Sequence, residues 1–179
     1  MEAKIVSLSL MLVLLTLATS TEASKYQFLK LKETNIRFYM QDWETGLNAT
    51  VFPIAGIPNK PWQVTRFGTV MAIDDKVTVA IERNSSQVGR LQDIYVNSAL
   101  DGTDLHLLVS LVFTNKEYNG STLEIQGADM FYQKYREVSV ISGSWIYRLA
   151  HGYAILQTVY YDVPKGNAII RWNLTVFHY

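Results

Sequence analysis

The sequence predicts an all-β domain, an antiparallel barrel or sandwich. Three observations predict it. Apolar and polar side chains alternate in run after run. Turn signals separate those runs at short spacing, and no long helix-period segment follows the first 23 residues. The hairpin at residues 105–129 is the clearest case. Leu105, Leu107, Val109, Leu111 and Phe113 fall on one side of an extended chain, because strand side chains alternate faces. Leu123 and Ile125 alternate with Thr122, Glu124 and Gln126 in the returning arm. Asn119-Gly120 between the arms readily supplies the positive φ angles of a tight turn. The first arm is apolar enough to require cover on both faces, from a closed barrel, a sandwich or a partner subunit.

The other elements follow in order. Residues 36–41 alternate Ile36, Phe38 and Met40 against Arg37, Tyr39 and Gln41, and deliver Asp42 at the strand end. Residues 49–55 form a strand in which Pro53 cannot donate to a ladder and predicts a bulge or an edge. Pro58, Pro61 and Trp62 lie in a stiff loop suited to rim a binding site. Residues 67–73 and 77–81 are expected to flank a hairpin turn at Asp74-Asp75-Lys76, which would make Asp75 a neutral position for substitution. Residues 88–99 form a long strand closed by Asp101-Gly102, and residues 131–141 form the strand after the central hairpin. Residues 152–161 and 168–178 complete a set of eight or nine strands.

Composition narrows the function. The 179 residues suggest one domain, and 49% hydrophobic content suffices for a core. The formal net charge is zero and no basic block is present, which argues against nucleic-acid binding. Lys4 followed by the apolar run 5–17 and small residues reads as a secretory signal, cleaved after Ser20 or Ala23. The run is shorter than the roughly 18–20 residues of a spanning helix, so no membrane association is expected after cleavage. The absence of cysteine removes disulfides, thiolate catalysis and cysteine-ligated metals. A secreted domain without disulfides rests on its core and on oligomer contacts. Sequons at Asn48, Asn84, Asn119 and Asn173 behind a signal predict glycosylation at one or more sites.

Familiar catalytic kits are missing. His106, His151 and His178 lack metal-ligand spacing, and His106 reads as a satisfied core histidine. No nucleophile elbow, phosphate loop or dinucleotide fingerprint occurs, so no cofactor is expected. What remains is carboxylates at strand ends among aromatics, with Asp42, Asp129 and Arg136 foremost. A carboxyl in an apolar cavity resists ionisation and can donate a proton near neutral pH. Turn residues and a surface ion pair are the plainer reading of the same positions.

From Phe38 onward the chain resembles the plant dirigent family. The matching pieces stand in family order: Phe38 to Asp42, Gly46 to Thr50, Phe67-Gly68-Thr69, Asp74-Asp75 and Ser86 to Arg90. Phe113-Thr114, Tyr118 to Leu123, Gly127-Ala128-Asp129, Arg136-Glu137-Val138, Gly152-Tyr153-Ala154 and His178-Tyr179 follow. The resemblance implies an eight-stranded antiparallel β-barrel of the calycin-like, allene oxide cyclase-like kind over residues 24–179, after a signal peptide over residues 1–23. It implies a homo-oligomer, usually a trimer, secreted to the plant apoplast. Members steer phenoxy radicals, made by a separate laccase or peroxidase, into stereoselective coupling to lignans, and some relatives cyclise quinone methides. The resemblance places the pocket acids at Asp42 and Asp129 and the pocket arginine at Arg136. One acid would donate to a quinone methide oxygen while Arg136 orients that group or holds the second acid ionised. Departures from the family pattern are Gln41 for histidine, Leu91 for alanine, Asp93 for glycine and Trp145 for glycine. A positive φ at Trp145 would be strained.

The expected function is therefore stereocontrol of phenoxy radical coupling or of quinone methide cyclisation on a small phenolic. The alternatives are a cofactor-free cyclase or isomerase on an apolar substrate, and a non-catalytic carrier of phenolics.

Overall fold

Alternation carries through nine strands among the described residues, 30–179 of the computed structural model. They are β1 (Lys32–Asp42), β2 (Val51–Ala55), β3 (Val70–Thr78), β4 (Gln87–Asn97), β5 (Leu105–Phe113), β6 (Thr122–Asp129), β7 (Arg136–Gly143), β8 (His151–Asp162) and β9 (Asn167–His178). The expected signal segment and its cleavage positions lie outside the described residues. All pairings are antiparallel, in the order β1-β9-β8-β7-β6-β5-β4-β3-β2, and β1 also pairs with β3. That last pairing closes the sheet. β1 takes the 76–78 end of β3's edge and β2 takes the 70–73 end. Nine strands thus fill eight positions of a closed antiparallel barrel.

Closure puts one side-chain set of every strand inside. Phe38 and Met40 of β1, Leu91 and Tyr95 of β4, Leu107 and Leu111 of β5, and Trp172 and Leu174 of β9 are buried there. Phe38 and Trp172 stack with centroids 5.7 Å apart. One end of the barrel is plugged. A 3-10 turn (Trp145–Tyr147) tucks the fully buried Tyr147 against Phe113, Tyr118 and His178. His178 is tied across the same end to Thr34 and to the Ile146 carbonyl. At the opposite end β1, β4, β6 and β8 finish and β5, β7 and β9 begin. Asp42, Asp129 and Arg136 therefore gather at one rim.

Several expectations change. The segment 74–76 is no hairpin turn but the middle of β3. Met71, Ile73, Asp75 and Val77 are successive inward positions of one strand, and Asp74 points out to Arg90. The true turn lies at residues 79–86, closed by Val79 N–H donating to the Ser86 carbonyl at 3.0 Å. The strand expected from residue 131 begins at Arg136, because residues 131–135 turn across the open rim. His106 is not a core residue. It is half-buried on the outer face, beside the Gln126 amide at 3.3 Å. The register shift of the β2–β3 ladder falls between Pro53 and Ala55, where the proline predicts one. Gly120 has φ +83° in the central hairpin. Trp145 has φ +52° and Asp93 has φ +99°, both at positions where a side chain is strained.

Candidate active site

The open end holds a cavity of about 380 Å³, large enough for a small polycyclic phenol. An apolar extension of about 40 Å³ continues inward between Leu91, Leu107, Val109 and Trp172. The cavity exists because strand alternation aims side chains inward while small or short residues, Ala168 and Thr158 among them, leave room on the β8–β9 wall. Leu91 is fully buried at the floor, so its bulk limits the depth of the cavity from within.

Asp42, Asp129 and Arg136 all line it. Asp129 ends β6 and Arg136 starts β7, so the six-residue excursion between them turns back and lets the two side chains meet. Arg136 Nε donates to Asp129 Oδ1 at 2.6 Å, Nη2 donates to Oδ2 at 3.5 Å, and Nη1 donates to Thr158 Oγ1 at 2.9 Å. Burial pushes the Asp129 carboxyl up, and the guanidinium beside it pulls it back toward ionisation. Asp42 has no such cation. Among the described residues no side chain forms an ion pair or hydrogen bond with it. Burial holds its carboxyl well above the usual range, and the nearby Asp75, Glu44 and Asp129 add to that. The site thus separates two acids by environment: both carboxyls are raised by burial, but Asp129 has the Arg136 guanidinium to favour its ionised form and Asp42 has no such partner.

Other groups complete the wall. Tyr95, 3% exposed, lines both parts of the cavity, and burial raises its phenol further above its ordinary range, so it stays a neutral hydroxyl. Glu44 stands at the mouth, its carboxyl raised by burial. Phe131, Tyr132 and Tyr161 form an aromatic rim. Sequence reasoning missed Tyr95 and Thr158 as site residues. Their inward positions on β4 and β8 are readable from alternation, but their closeness to the acids depends on which strands pair. Trp62 is not the aromatic of the rim. It folds over Gly56 and donates to the Ile57 carbonyl, and its loop reaches the cavity through Val64. Gln41 faces away from the cavity and donates to Thr78 Oγ1 and the Ile81 carbonyl.

The sequons lie apart from the cavity. Asn48, Asn84 and Asn119 are in exposed loops, whereas Asn173 is in β9 with its Oδ1 accepting from Arg37 Nε at 2.7 Å.

The Dirigent-like protein family model matches residues 33–177, from the second residue of β1 to near the end of β9. The chain is 33% identical to Pterocarpan synthase 1 of Glycyrrhiza echinata, over 97% of this chain and 96% of that protein. It is 31% identical to Dirigent protein 21 of Arabidopsis thaliana, over 96% and 95%. Among solved structures, the pterocarpan synthase dirigent protein GePTS1 superposes with a TM-score of 0.79 at 35% identity, covering 84% of this chain and 87% of that one. A closed barrel with acids at one rim, matched end to end by the family model and by relatives of this identity, places the chain in the dirigent-like protein family.

Proposed function

We propose that the chain promotes stereoselective ring closure of a phenolic quinone methide, in the manner the name pterocarpan synthase implies for two relatives, which are 33% and 32% identical. The observation that carries this reading is a buried Asp42 without a cation beside an arginine-held Asp129 in one apolar cavity, an arrangement that favours the proton on Asp42. A pterocarpan is an isoflavan skeleton closed by an ether bridge, so the reaction to test is loss of water from a 7,2′-dihydroxyisoflavan-4-ol, whose 7-hydroxyl is the phenol conjugated to the benzylic carbon. Asp42 donates its proton to the benzylic hydroxyl, the C–O bond breaks and water leaves. The phenol conjugated to that carbon gives its proton to Asp129, leaving a neutral quinone methide. The 2′-hydroxyl oxygen then bonds to the benzylic carbon and returns its proton to Asp42, and the quinone methide oxygen regains the other from Asp129. One water is lost and no electrons are transferred. Tyr95 and the aromatic rim present one face of the carbon to the nucleophile. Favouring one face by ~30:1 takes only about 2 kcal/mol of barrier difference.

Secretion to the apoplast, glycan on the exposed sequons and a homotrimeric state belong to this proposal. The signal pattern supports the first and the loop positions of Asn48, Asn84 and Asn119 support the second. An outer-face depression supports the third, where Leu108 and Ile141 are 41% and 54% exposed.

The test is chiral product analysis in two arms. One supplies a racemic 7,2′-dihydroxyisoflavan-4-ol alone. The other supplies coniferyl alcohol with a laccase or peroxidase. Enantiomerically enriched pterocarpan in the first arm is the expected result. Racemic product there, with an enriched lignan in the second arm, would assign the protein to radical coupling instead.

A further inference from the structure

The barrel buries one more carboxyl that the proposed mechanism leaves unused. Asp75 is 0% exposed, lies on the inner face of β3 and is not among the residues lining the cavity. The β1–β3 ladder pairs Tyr39 with Thr78, Met40 with Val77 and Gln41 with Lys76. The register ends at Gln41–Lys76; carried one step further it would set Asp42 opposite Asp75, and Asp75 is the leading charged group acting on the Asp42 carboxyl. Met40 and Val77, the inward pair two positions earlier, show that both acids are on the inner face. Directly opposed residues of an antiparallel pair hold their Cβ atoms about 4.5–5.5 Å apart. Asp75 stands where β3's edge changes partner from β1 to β2. There the Thr50 hydroxyl, from the segment entering β2, donates to its Oδ1, while its Oδ2 is buried without a partner.

We propose that Asp75 is a positioning residue for the proton of Asp42: the two carboxyl groups face each other across β1 and β3 and share one proton. The proposal rests on the acid role given to Asp42 above. Two bare carboxylates at this separation, away from water, repel enough to shift an ionisation equilibrium by more than tenfold. The surrounding charges do not remove that repulsion. From the loop after β1, Glu44 adds a further negative group, and from β6 Asp129 is engaged by Arg136. From β4, Tyr95 is neutral and Arg90 is paired with Asp74 on the outer face. From the 79–86 turn, Arg83 acts on Asp75 from a distance while lying over the Trp43 ring and donating to the Asn48 carbonyl. Burial, the largest influence, pushes Asp75 up to about 8. A shared proton satisfies the unpartnered Oδ2 and keeps Asp42 able to donate until the pair loses its last proton. Such a pair titrates in two macroscopic steps that belong to both residues.

The test is a carbon NMR titration of the full-length protein labelled at the aspartate carboxyl carbon, with resonances assigned through Asp42→Asn and Asp75→Asn. It needs no substrate. The Asp42 and Asp75 carbons of the wild type are expected to shift together in two steps. In Asp75→Asn, whose amide oxygen can still accept from Thr50, Asp42 is expected to titrate in one step, lower by about one pH unit or more. The alkaline limb of the ring-closure rate should move down with it. Single independent steps for the two carbons of the wild type would overturn the proposal, even if Asp75→Asn fails to fold. So would an unchanged Asp42 titration in a folded Asp75→Asn. Coupled titration in a protein that closes no ring would keep the pair and refute the proposed function instead.

Discussion

Asp42, Asp75 and Asp129 are three acids in one barrel end, and only Asp129 has a cation of its own. Burial makes the folded state favour the protonated forms of the other two, and for Asp75 it outweighs the Thr50 hydrogen bond and the more distant Arg90 and Arg83. For Asp75 the folded value is about 8 against an unfolded 3.8. The folded state binds the extra proton between those values, so stability is fully present below about pH 4 as far as this group is concerned. It is lost as pH rises toward about 8. Thermal unfolding scans are expected to show a falling melting temperature over that window, and Asp75→Asn should flatten the fall. A melting temperature independent of pH across the window would mean Asp75 is already ionised in the folded protein. The sequence led to the opposite view of this residue. Asp74-Asp75 has the composition of a turn, and nothing local distinguishes an acid in a turn from one buried at the seam of a barrel. The seam is made by β1 and β2 meeting along β3, a contact set by tertiary closure. Asp42, Asp129 and Arg136 were legible chiefly through the family resemblance. Their spacing alone reads equally well as turn acids and a surface pair.

At the scale of elements, alternation identified most strands, and it failed where an element's identity depends on something outside it. Residues 131–135 are apolar enough to read as strand, yet they turn across the rim and supply Phe131 and Tyr132 to the cavity. β4 carries two departures from the family pattern with separate consequences. Asp93 holds φ +99°, which costs an ordinary side chain roughly 1–3 kcal/mol that glycine avoids. Its carboxylate accepts from Ser110 Oγ at 2.6 Å, which returns part of that cost. Asp93→Gly is expected to raise stability by about 1 kcal/mol, a gain of about 2–4 °C in melting temperature at this size. An unchanged or lower melting temperature would show that the Ser110 contact outweighs the strain. Two positions earlier, Leu91 fills the floor of the cavity. Leu91→Ala is expected to cost about 2–5 kcal/mol, as a fully buried leucine does, while deepening the cavity. Denaturant unfolding reads the first effect. Tighter binding of phenols bulkier at the buried end reads the second.

Across the whole molecule, antiparallel order makes one end of the barrel chemical and the other structural. The aromatic plug of Phe113, Tyr118, Tyr147 and His178 closes one end, and the opposite end collects the acids. That polarity was legible in the hairpin at 105–129, which starts at the acid end with Leu105 paired to Asp129. The eight barrel positions were legible through the family resemblance but not in the strand count, because end-to-end placement of β1 and β2 leaves no local mark. The outer face of β5 and its neighbours exposes Leu108 and Ile141, and a homotrimer is the state proposed to cover them. Light scattering at micromolar concentration should return three times the subunit mass, and a clean monomer would remove that part of the account.

The central claim is that Asp42 supplies the proton on which ring closure depends. It is tested by the single-turnover rate of pterocarpan formation from a 7,2′-dihydroxyisoflavan-4-ol in wild type and in Asp42→Asn, with Asp74→Asn, an exposed acid on the outer face of β3, as the control. The wild-type rate is expected to fall as pH rises through the raised range of Asp42, because the acid must be protonated to donate. Asp42→Asn is expected to run roughly 10²-fold or more slower with that pH dependence gone, and Asp74→Asn is expected to match the wild type. A folded Asp42→Asn protein that keeps the wild-type rate and pH profile would contradict the account and leave the barrel a cavity that orients its substrate without acid catalysis.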